Sequence, residues 1–365
     1  MIYKTSEWVS NGHPDKVADY ISEYILDRII EKDPKVRYAV EVQIKGNNVT
    51  LGGEVTTTAQ IDWEKWIREA IAEIGYTRSY QKRFGYENTI CMNDIQTHVY
   101  VTTQSPDIAQ GVDTDAWGDQ GIFFGFYCDE TGEGEGRDYA TARAIGRTLY
   151  DAALQSKVLG IDIKTQVTVE YDDALMESRI DKIIVAIPMV RGKEKEGIKE
   201  VNNLLKSWKG DRTKVIINGT GAYCQHGPIA DCGTTGRKLV VDFHGSRSRI
   251  GGGSPWTKDG SKADLTLNLF AHNLAGVALK LLKRDFDTAH RCEVELSCCI
   301  GKKDVLLQLA LYDGQGNLIS KQDTEGKVAP SQLIKKYKLN EPIYTKMCRE
   351  GLFTIVNDCI KKEAK

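Results

Sequence analysis

Residues 231–264 read DCGTTGRKLVVDFHGSRSRIGGGSPWTKDGSKAD, and this stretch interleaves glycines with fixed positive charges. Glycine lets the backbone approach a ligand closely, and arginine and lysine supply the charge that an anion needs. The stretch therefore predicts a loop that binds a polyphosphate. A solvated basic loop is the alternative, because no Walker pattern is present. The six cations are Arg237, Lys238, Arg247, Arg249, Lys258 and Lys262.

Length and charge narrow the class of protein to which the chain can belong. A chain of 365 residues predicts two or three domains. The net charge of −2 gives no reason to expect nucleic acid or an anionic membrane as a partner. No apolar run approaches 18 residues, and the first residues lack the apolar core of a signal peptide. We therefore expect neither a membrane span nor export.

The nine cysteines include no Cys-x-x-Cys pair. An odd number without metal-ligand spacing favours buried thiols in a reducing compartment over a disulfide framework or a zinc site. The expected location is cytoplasmic.

A helix is predicted to begin in the segment Gly12-His13-Pro14-Asp15-Lys16. Proline suits the first helical position, and an aspartate in the first turn is favoured by the helix dipole. His13 and Asp15 thus lie at a helix N-terminus, where backbone N–H groups attract anions. Such a pair can serve a phosphate ester and its metal ion. The alternative is that Asp15 only caps the helix and His13 lies on the surface.

Two facing strands follow, 36–45 and 49–55, and they carry Glu41 and Glu54. Without further context, solvated carboxylates on a sheet face are the alternative to a ligand site. Asp119 occupies a turn, 118–121, before an apolar strand, and residues 104–113 look like a mobile loop.

Strand pairs alternate with helices three times along the chain, which predicts an α+β protein with helices on one face of each sheet. After Tyr312 the pattern predicts only a short helix, 331–337, and a polar tail. The expected domains are residues 1–103, 114–229 and 230–365, which can be interleaved along the chain.

Six ordered motifs resemble those of the S-adenosylmethionine synthetase (methionine adenosyltransferase) family. They are GHPDK (12–16), GGEVTT (52–57), QSPDI (104–108), GDQG (118–121), DCGTTGRK (231–238) and KDGSKAD (258–264). The resemblance implies three βαββαβ-type domains about a pseudo-threefold axis, with sheets packed at a dimer interface. It also implies a homodimer or a dimer of dimers whose active site draws residues from two chains.

The resemblance implies that ATP and L-methionine are the substrates. Methionine sulfur attacks C5′ of ATP, and the tripolyphosphate released is hydrolysed to pyrophosphate and phosphate. Mg²⁺ and K⁺ are the implied cofactors. This chemistry needs no general base at sulfur, but it needs cations aimed at the departing polyphosphate.

Family roles are carried over position by position. His13 matches the histidine near the cleaved bond, Tyr223 the aromatic residue stacked on adenine, and Asp162 an adenosine-binding aspartate. Matches to the magnesium-site carboxylates are Asp15 and Asp264, and Glu41 matches the potassium-site carboxylate. The cations that match phosphate-binding positions are Lys164, Arg237, Lys238 and Lys258. Further matches to substrate-binding positions are Glu54, Gln104, Asp119, Asp231 and Lys262.

The sequence departs from the family pattern at Ser254-Pro255-Trp256, at Trp117, at Ala222 and in a shortened loop after Gln104. We expect Trp117 or Trp256 to border the substrate pocket or the closed loop; packing under a neighbouring strand is the alternative for either indole.

Two other functions stay open at this point. A kinase or ligase would need a P-loop or a catalytic-loop motif, and the sequence has neither. A non-catalytic or regulatory nucleotide-binding homologue would be expected to lack Lys164, Lys258 or Asp15, and all three are present.

Overall fold

The structure of the protein is a computed structural model that describes residues 2–103, 115–172 and 178–364. The mobile loop expected at residues 104–113, with the candidate residue Gln104, lies outside the described residues.

Twelve strands in the described part of the chain form three sheets of four strands each. The strands are β1 Ile2–Val9, β2 Arg37–Lys45, β3 Asn48–Thr56, β4 Gln96–Thr102, β5 Gly121–Cys128, β6 Lys164–Tyr171, β7 Ser178–Ala186, β8 Lys214–Ile217, β9 Gly233–Thr234, β10 Ala289–Cys298, β11 Asp304–Asp313 and β12 Leu318–Lys327. Their orders are β1-β6-β7-β8, β12-β11-β10-β5 and β4-β3-β2-β9.

Each sheet joins strands that are far apart in the sequence. β1 pairs antiparallel with β6 in a register that matches Ile2 with Tyr171. β5 pairs antiparallel with β10, and β9 adds to the edge of β2. The predicted α+β class is confirmed, and its sheets are open and built from interleaved segments.

Helices cover these sheets and pack on one another. They are α1 Pro14–Ile30, α2 Trp63–Ile74, α3 Arg78–Phe84, α4 Arg137–Gln155, α5 Glu194–Leu204, α6 Leu239–Asp242, α7 Ala263–Leu282, α8 Pro330–Tyr337, α9 Tyr344–Glu350 and α10 Asn357–Glu363. α1 is buried along almost its whole length, between α2, α9 and the face of β2.

One helix, α7, bears on the expectation that the chain has no membrane span. It is long and apolar enough to cross a membrane by length and composition. In the structure it lies in the core and packs against β5 and β10, with Leu265, Leu267 and Leu269 fully buried. Its apolar composition is accounted for by this position inside the fold.

No helix was predicted after residue 337, but α9 and α10 follow there, and α10 reaches Glu363 within the predicted polar tail KKEAK. α9 and α10 bury Tyr344, Met347 and Ile360, and Asp27 of α1 accepts the backbone N–H groups of Tyr344 and Thr345. All nine cysteines are free thiols; six are buried, as predicted, but Cys232 and Cys359 are half-buried and Cys299, the neighbour of the buried Cys298, is exposed.

Candidate active site

The N-terminus of α1 holds the first group of candidate residues. His13 is the N-cap, and its Nδ1 accepts the backbone N–H of Asp15 at 3.2 Å. Asp15 accepts hydrogen bonds from the Thr234 N–H at 3.0 Å and from Lys238 Nζ at 2.6 Å. Arg237 Nη1 lies 3.6 Å from Asp15 Oδ1. The turn after β9 is thereby fixed to the start of α1.

The charges around His13 set its protonation state. Burial, then the positive charges of Lys164 and Lys238, lower the pKa of His13 to about 3. Burial would raise the pKa of Asp15, but hydrogen bonds from Lys238 and Thr234 outweigh it and leave the pKa lowered. At neutral pH the site therefore contains a neutral imidazole and an ionised carboxylate beside several cations.

Asp162 and Tyr223 form a second contact close to this group. Asp162 Oδ2 accepts the Tyr223 hydroxyl at 2.8 Å and the Gly227 N–H at 2.7 Å. Asp162 Oδ1 is buried and has no hydrogen-bond partner in the described part of the chain. Burial raises the pKa of Asp162 to about 6, although both hydrogen bonds and Lys164 oppose the shift. Lys164 is exposed and available to a ligand, whereas Asp162 Oδ1, unpartnered among the described residues, is an acceptor that is covered in this structure.

Lys258 and Asp264 form another group at the start of α7. Lys258 Nζ donates to Asp264 Oδ2 at 2.6 Å and to the Ser254 carbonyl at 3.0 Å. Gly253 lies so close that a Cβ there would come within 2.0 Å of Asp264 Oδ1. Gly253 is thus required for a close backbone approach to this carboxylate.

Asp119 and Lys262 lie next to the same group. The thiol of Cys298 contacts the Asp119 carbonyl at 3.4 Å. Burial, followed by the negative charges of Asp119 and Asp264, raises the pKa of Cys298 to about 12. Lys262 is the N-cap residue of α7.

Glu41 contacts residues 231–264 at two places, near the start of the stretch and near its end. One of its oxygens accepts the Thr235 hydroxyl, and the other accepts the Thr257 hydroxyl at 3.0 Å. Glu54 lies on the same outer face of the sheet, because Ala39 is its partner in the pairing of β2 with β3. These two carboxylates therefore share a face, as their places on facing strands predicted.

Within a single chain, the structure brings some of the predicted site residues together and leaves others apart. His13, Asp15, Asp162, Lys164 and Lys238 act on one another through contacts or charge. In the described residues no salt bridge or side-chain hydrogen bond joins Lys258 or Asp264 to that group. Nor do the described residues contain a cluster of three or more His, Cys, Asp or Glu that could hold a metal ion by itself.

The two indoles are buried in the core. Trp117 is fully buried and donates from Nε1 to the Val328 carbonyl at 3.1 Å. Trp256 is 1% exposed, donates to Asp242 at 2.7 Å and lies under the amine of Lys16. The structure favours the packing alternative for both residues.

Sequence reasoning missed the buried charges inside α1. Lys16 pairs with Asp19 and Asp242, and Glu23 accepts the backbone N–H of Thr257 at 2.6 Å. The available signal was the spacing of acids at positions 15, 19, 23 and 27, which puts them on one helix face that is otherwise apolar.

Three family models match the chain in order. Residues 1–106 match S-adenosylmethionine synthetase, N-terminal domain; residues 114–223 match the central domain; and residues 225–362 match the C-terminal domain.

Similar proteins cover the whole chain. An S-adenosylmethionine synthase of Myxococcus xanthus is 37% identical over 96% of this chain and 89% of its own length. One from Parafrankia sp. is 34% identical over 96% and 92%. The solved structure of an unusual S-adenosylmethionine synthetase from Campylobacter jejuni is 29% identical, covers all of both chains and has a TM-score of 0.85.

Proposed function

The chain belongs to the S-adenosylmethionine synthetase family and makes S-adenosylmethionine from ATP and methionine, and from this premise we propose which residues perform the reaction. Methionine sulfur attacks C5′ of ATP, so the bond to the triphosphate breaks as negative charge grows on the leaving oxygen. Sulfur is a good nucleophile without a base. The work of the protein is to orient the two substrates and to stabilise that charge.

Lys164, Arg237, Lys238 and Lys258 supply the positive charge that stabilises the leaving group. Lys164 is exposed, and the side chain of Arg237 is 53% exposed, so both can reach a ligand. His13 is neutral, and its Nε2–H can donate to a phosphate oxygen without adding charge. The single observation that carries this assignment is the ion pair of Asp15 with Lys238 at the start of α1.

Members of the family use metal ions, and we assign Mg²⁺ to Asp15 and Asp264. Both are hard oxygen donors, and Mg²⁺ in such enzymes is held by one or two carboxylates together with substrate phosphates. Each of these carboxylates is held in place by a lysine assigned to phosphate, Lys238 in one case and Lys258 in the other. The ion would neutralise the charge of the polyphosphate. Glu41, with the hydroxyls on either side of it, is the assigned K⁺ site.

The substrate contacts follow from the free acceptors and the outer sheet face. Asp162 and Tyr223 are assigned to adenosine, because Asp162 Oδ1 lacks a partner in the described residues. The further substrate contacts are Glu54, Gln104, Asp119, Asp231 and Lys262.

The separation of Lys258 and Asp264 from the α1 group supports a site completed by a second copy, and thus a homodimer or a dimer of dimers. The free thiols support a cytoplasmic location.

The test is to incubate the purified protein with ATP, methionine, Mg²⁺ and K⁺ and to identify the products. We expect S-adenosylmethionine, pyrophosphate and phosphate, and no product when a chelator removes the metal. ADP or AMP as the product would contradict the assignment. No turnover, with ATP bound, would favour the regulatory alternative.

A further inference from the structure

Thr257, the residue before Lys258, has a backbone conformation that its side chain disfavours. Its φ is +73°, in the left-handed region, and its side chain is fully buried. A β-branched residue in this region is a strained exception. Such a conformation persists only where the surrounding contacts enforce it.

Three contacts enforce it here. Glu23 Oε1 accepts the Thr257 N–H at 2.6 Å. The Thr257 carbonyl accepts the Val40 N–H at 3.1 Å, and the Thr257 hydroxyl donates to Glu41 at 3.0 Å. The backbone N–H, the carbonyl and the side chain of one residue are thus all fixed, two of them to β2 and one to α1.

Glu23 is the costly member of this set. Its side chain is fully buried inside α1, and its second oxygen, Oε2, has no partner in the described part of the chain. A buried carboxyl group without a cationic partner is destabilising, and a hydrophobic residue of similar size would stabilise the helix more. Nothing in the site described above uses Glu23 except the N–H of Thr257.

The consequence of the three contacts appears one residue later. Lys258 continues the same backbone, pairs with Ala39 on the edge of β2, and sends its amine to Asp264 and the Ser254 carbonyl. The direction of the Lys258 side chain depends on the φ of Thr257, because a relaxed threonine would rotate the chain that follows it.

We propose that Glu23 is a positioning residue, which acts through Thr257 to hold Lys258 where the polyphosphate leaves. This role rests on the function proposed for Lys258. The role predicts a specific kinetic effect. Loss of Glu23 should misplace the Lys258 amine, which acts in the transition state, so kcat should fall while methionine binding stays nearly intact.

Two substitutions of Glu23 distinguish the loss of its hydrogen-bond acceptor from a change in side-chain volume. Glu23→Leu keeps the volume and removes the acceptor, and a displacement of about 1 Å at a reacting group can cost about 10²-fold in rate. We expect kcat to fall by about 10- to 100-fold and KM for methionine to change by less than about threefold. Glu23→Gln keeps an acceptor oxygen and should stay within about threefold of wild type in kcat.

A substitution at Thr257 tests the path through that residue. Glycine adopts positive φ without strain, so the backbone of Thr257→Gly does not need Glu23 to enforce its conformation. Because Thr257→Gly also removes the hydroxyl beside Glu41, it is its own reference: Glu23→Leu should change kcat by less than about threefold in the Thr257→Gly background. If Glu23→Leu does not fold, Thr257→Val replaces it: the strained backbone remains but one contact is lost, so kcat should fall below that of Thr257→Gly.

Asp27→Ala is the matched control, one turn further along the same buried face of α1. Asp27 accepts three hydrogen bonds, from Tyr344 and Thr345, and in the described part of the chain it makes none to Thr257 or Lys258. Its loss should lower Tm and leave kcat unchanged. If Asp27→Ala and Glu23→Leu lower kcat equally, the effect of Glu23 is general destabilisation and the proposal is wrong.

Two other results would overturn it: a kcat for Glu23→Leu within twofold of wild type, or a loss of kcat on Glu23→Leu that is as large in the Thr257→Gly background as in the wild-type protein. Lys258→Ala is measured beside them. If Lys258→Ala keeps its kcat, the proposed function of Lys258 fails. If Lys258→Ala loses kcat and Glu23→Leu does not, only the role of Glu23 fails.

Discussion

At the level of single residues, the site combines ionised groups that hold one another in place with a few groups left free for substrate. Asp15 and Lys238 fix each other, as do Asp264 and Lys258. Lys164 is exposed, and one oxygen of Asp162 is unpartnered within the described residues. In the proposed assignment the paired groups preorganise charge for the leaving polyphosphate, and the exposed Lys164 meets the ligand first.

Lys164→Ala should reduce kcat by about 10²–10³-fold, because removal of one donor to a developing charge has effects of this size. KM for methionine should change by less than about threefold, since the sulfur carries no charge before the reaction. Steady-state kinetics with both substrates measures this. Lys157→Ala, at an exposed lysine on the loop before β6, is the control and should match wild type. A normal kcat with a raised KM for methionine would contradict the role.

The ATP dependence should change with pH through Asp162. Burial raises its pKa to about 6, so the group is ionised at pH 7.5 and mostly protonated at pH 5.5. Tyr223 and Gly227 already donate to Oδ2, so only the ionised carboxylate leaves Oδ1 as a pure acceptor for the adenosine moiety, because protonation turns one oxygen into a donor. KM for ATP should therefore rise as the pH falls below about 6. Asp162→Asn should show a high KM that no longer varies in this range; an equal pH dependence in both proteins would exclude Asp162 as the cause.

Residue types could be read from the sequence, but their partners could not. The glycines and cations of residues 231–264 predicted an anion site, and the start of α1, with His13, predicted another place that attracts anions. Glu23 carried no such signal, because its partner is a backbone N–H more than two hundred residues away. That contact depends on the left-handed φ of Thr257, which a threonine does not predict.

At the level of elements, the regular patterns were found and the irregular ones were missed. The β2–β3 pair begins and ends within one residue of its predicted positions, and α1 begins within the predicted segment 12–16. β1 was missed because its two faces are both partly covered, so it shows no clean alternation. β12 is mostly exposed and polar, and its antiparallel pairing with β11 is what forms it.

A stack of three rings joins α7 to the C-terminal segment. His244, His272 and Phe353 lie with ring centroids 4.2–5.0 Å apart. Both ring nitrogens of His244 are buried without a partner in the described residues. Burial lowers the pKa of His244 well below its usual value, and the positive charges of protonated His272 and of Arg143 lower it further. The stack is therefore stable only while these imidazoles are neutral.

Acid should destabilise the protein through this stack. The pKa of His244 is lower in the folded than in the unfolded state, so the unfolded state takes up the proton first. The contribution to stability is complete above about pH 6.5 and is lost as the pH falls below it. His244→Phe should lose less free energy of unfolding between pH 7.5 and pH 5.5, measured by urea denaturation. His290→Phe, at a side chain that is 41% exposed, should behave as wild type; an equal loss in all three proteins would refute the prediction.

At the level of the whole molecule, the outer faces of the sheets carry large apolar side chains in contact with solvent. Tyr100 on β4 is 70% exposed, and Ile122 on β5 and Leu306 on β11 are each more than half exposed. Exposed apolar groups that recur on sheet faces favour a protein interface. They support the proposed dimer, in which one copy would supply Lys258 and Asp264 to the α1 group of the other.

Tyr100→Glu should shift the protein toward monomer, because it puts a charge on the face proposed as the interface. Light scattering after size-exclusion chromatography gives the mass, and the same fractions can be assayed. Activity should fall with the dimer fraction. Tyr86→Glu is the control, at a tyrosine that is 58% exposed and lies outside the sheets. A fully active monomer would contradict both the dimer and the shared site.

The pairing of β1 with β6 has a consequence for synthesis on the ribosome. Ile2 cannot meet Tyr171 until the intervening chain has emerged, which at about 5–20 residues per second takes roughly 10 to 30 s. β5 likewise waits for β10, and β2 waits for β9. No sheet is complete until later segments arrive, so nascent chains expose unpaired strand edges for most of translation. The yield of folded protein in the cell should thus depend more on chaperone binding to the nascent chain, and on its slow release from the chaperone, than on the stability of the finished fold.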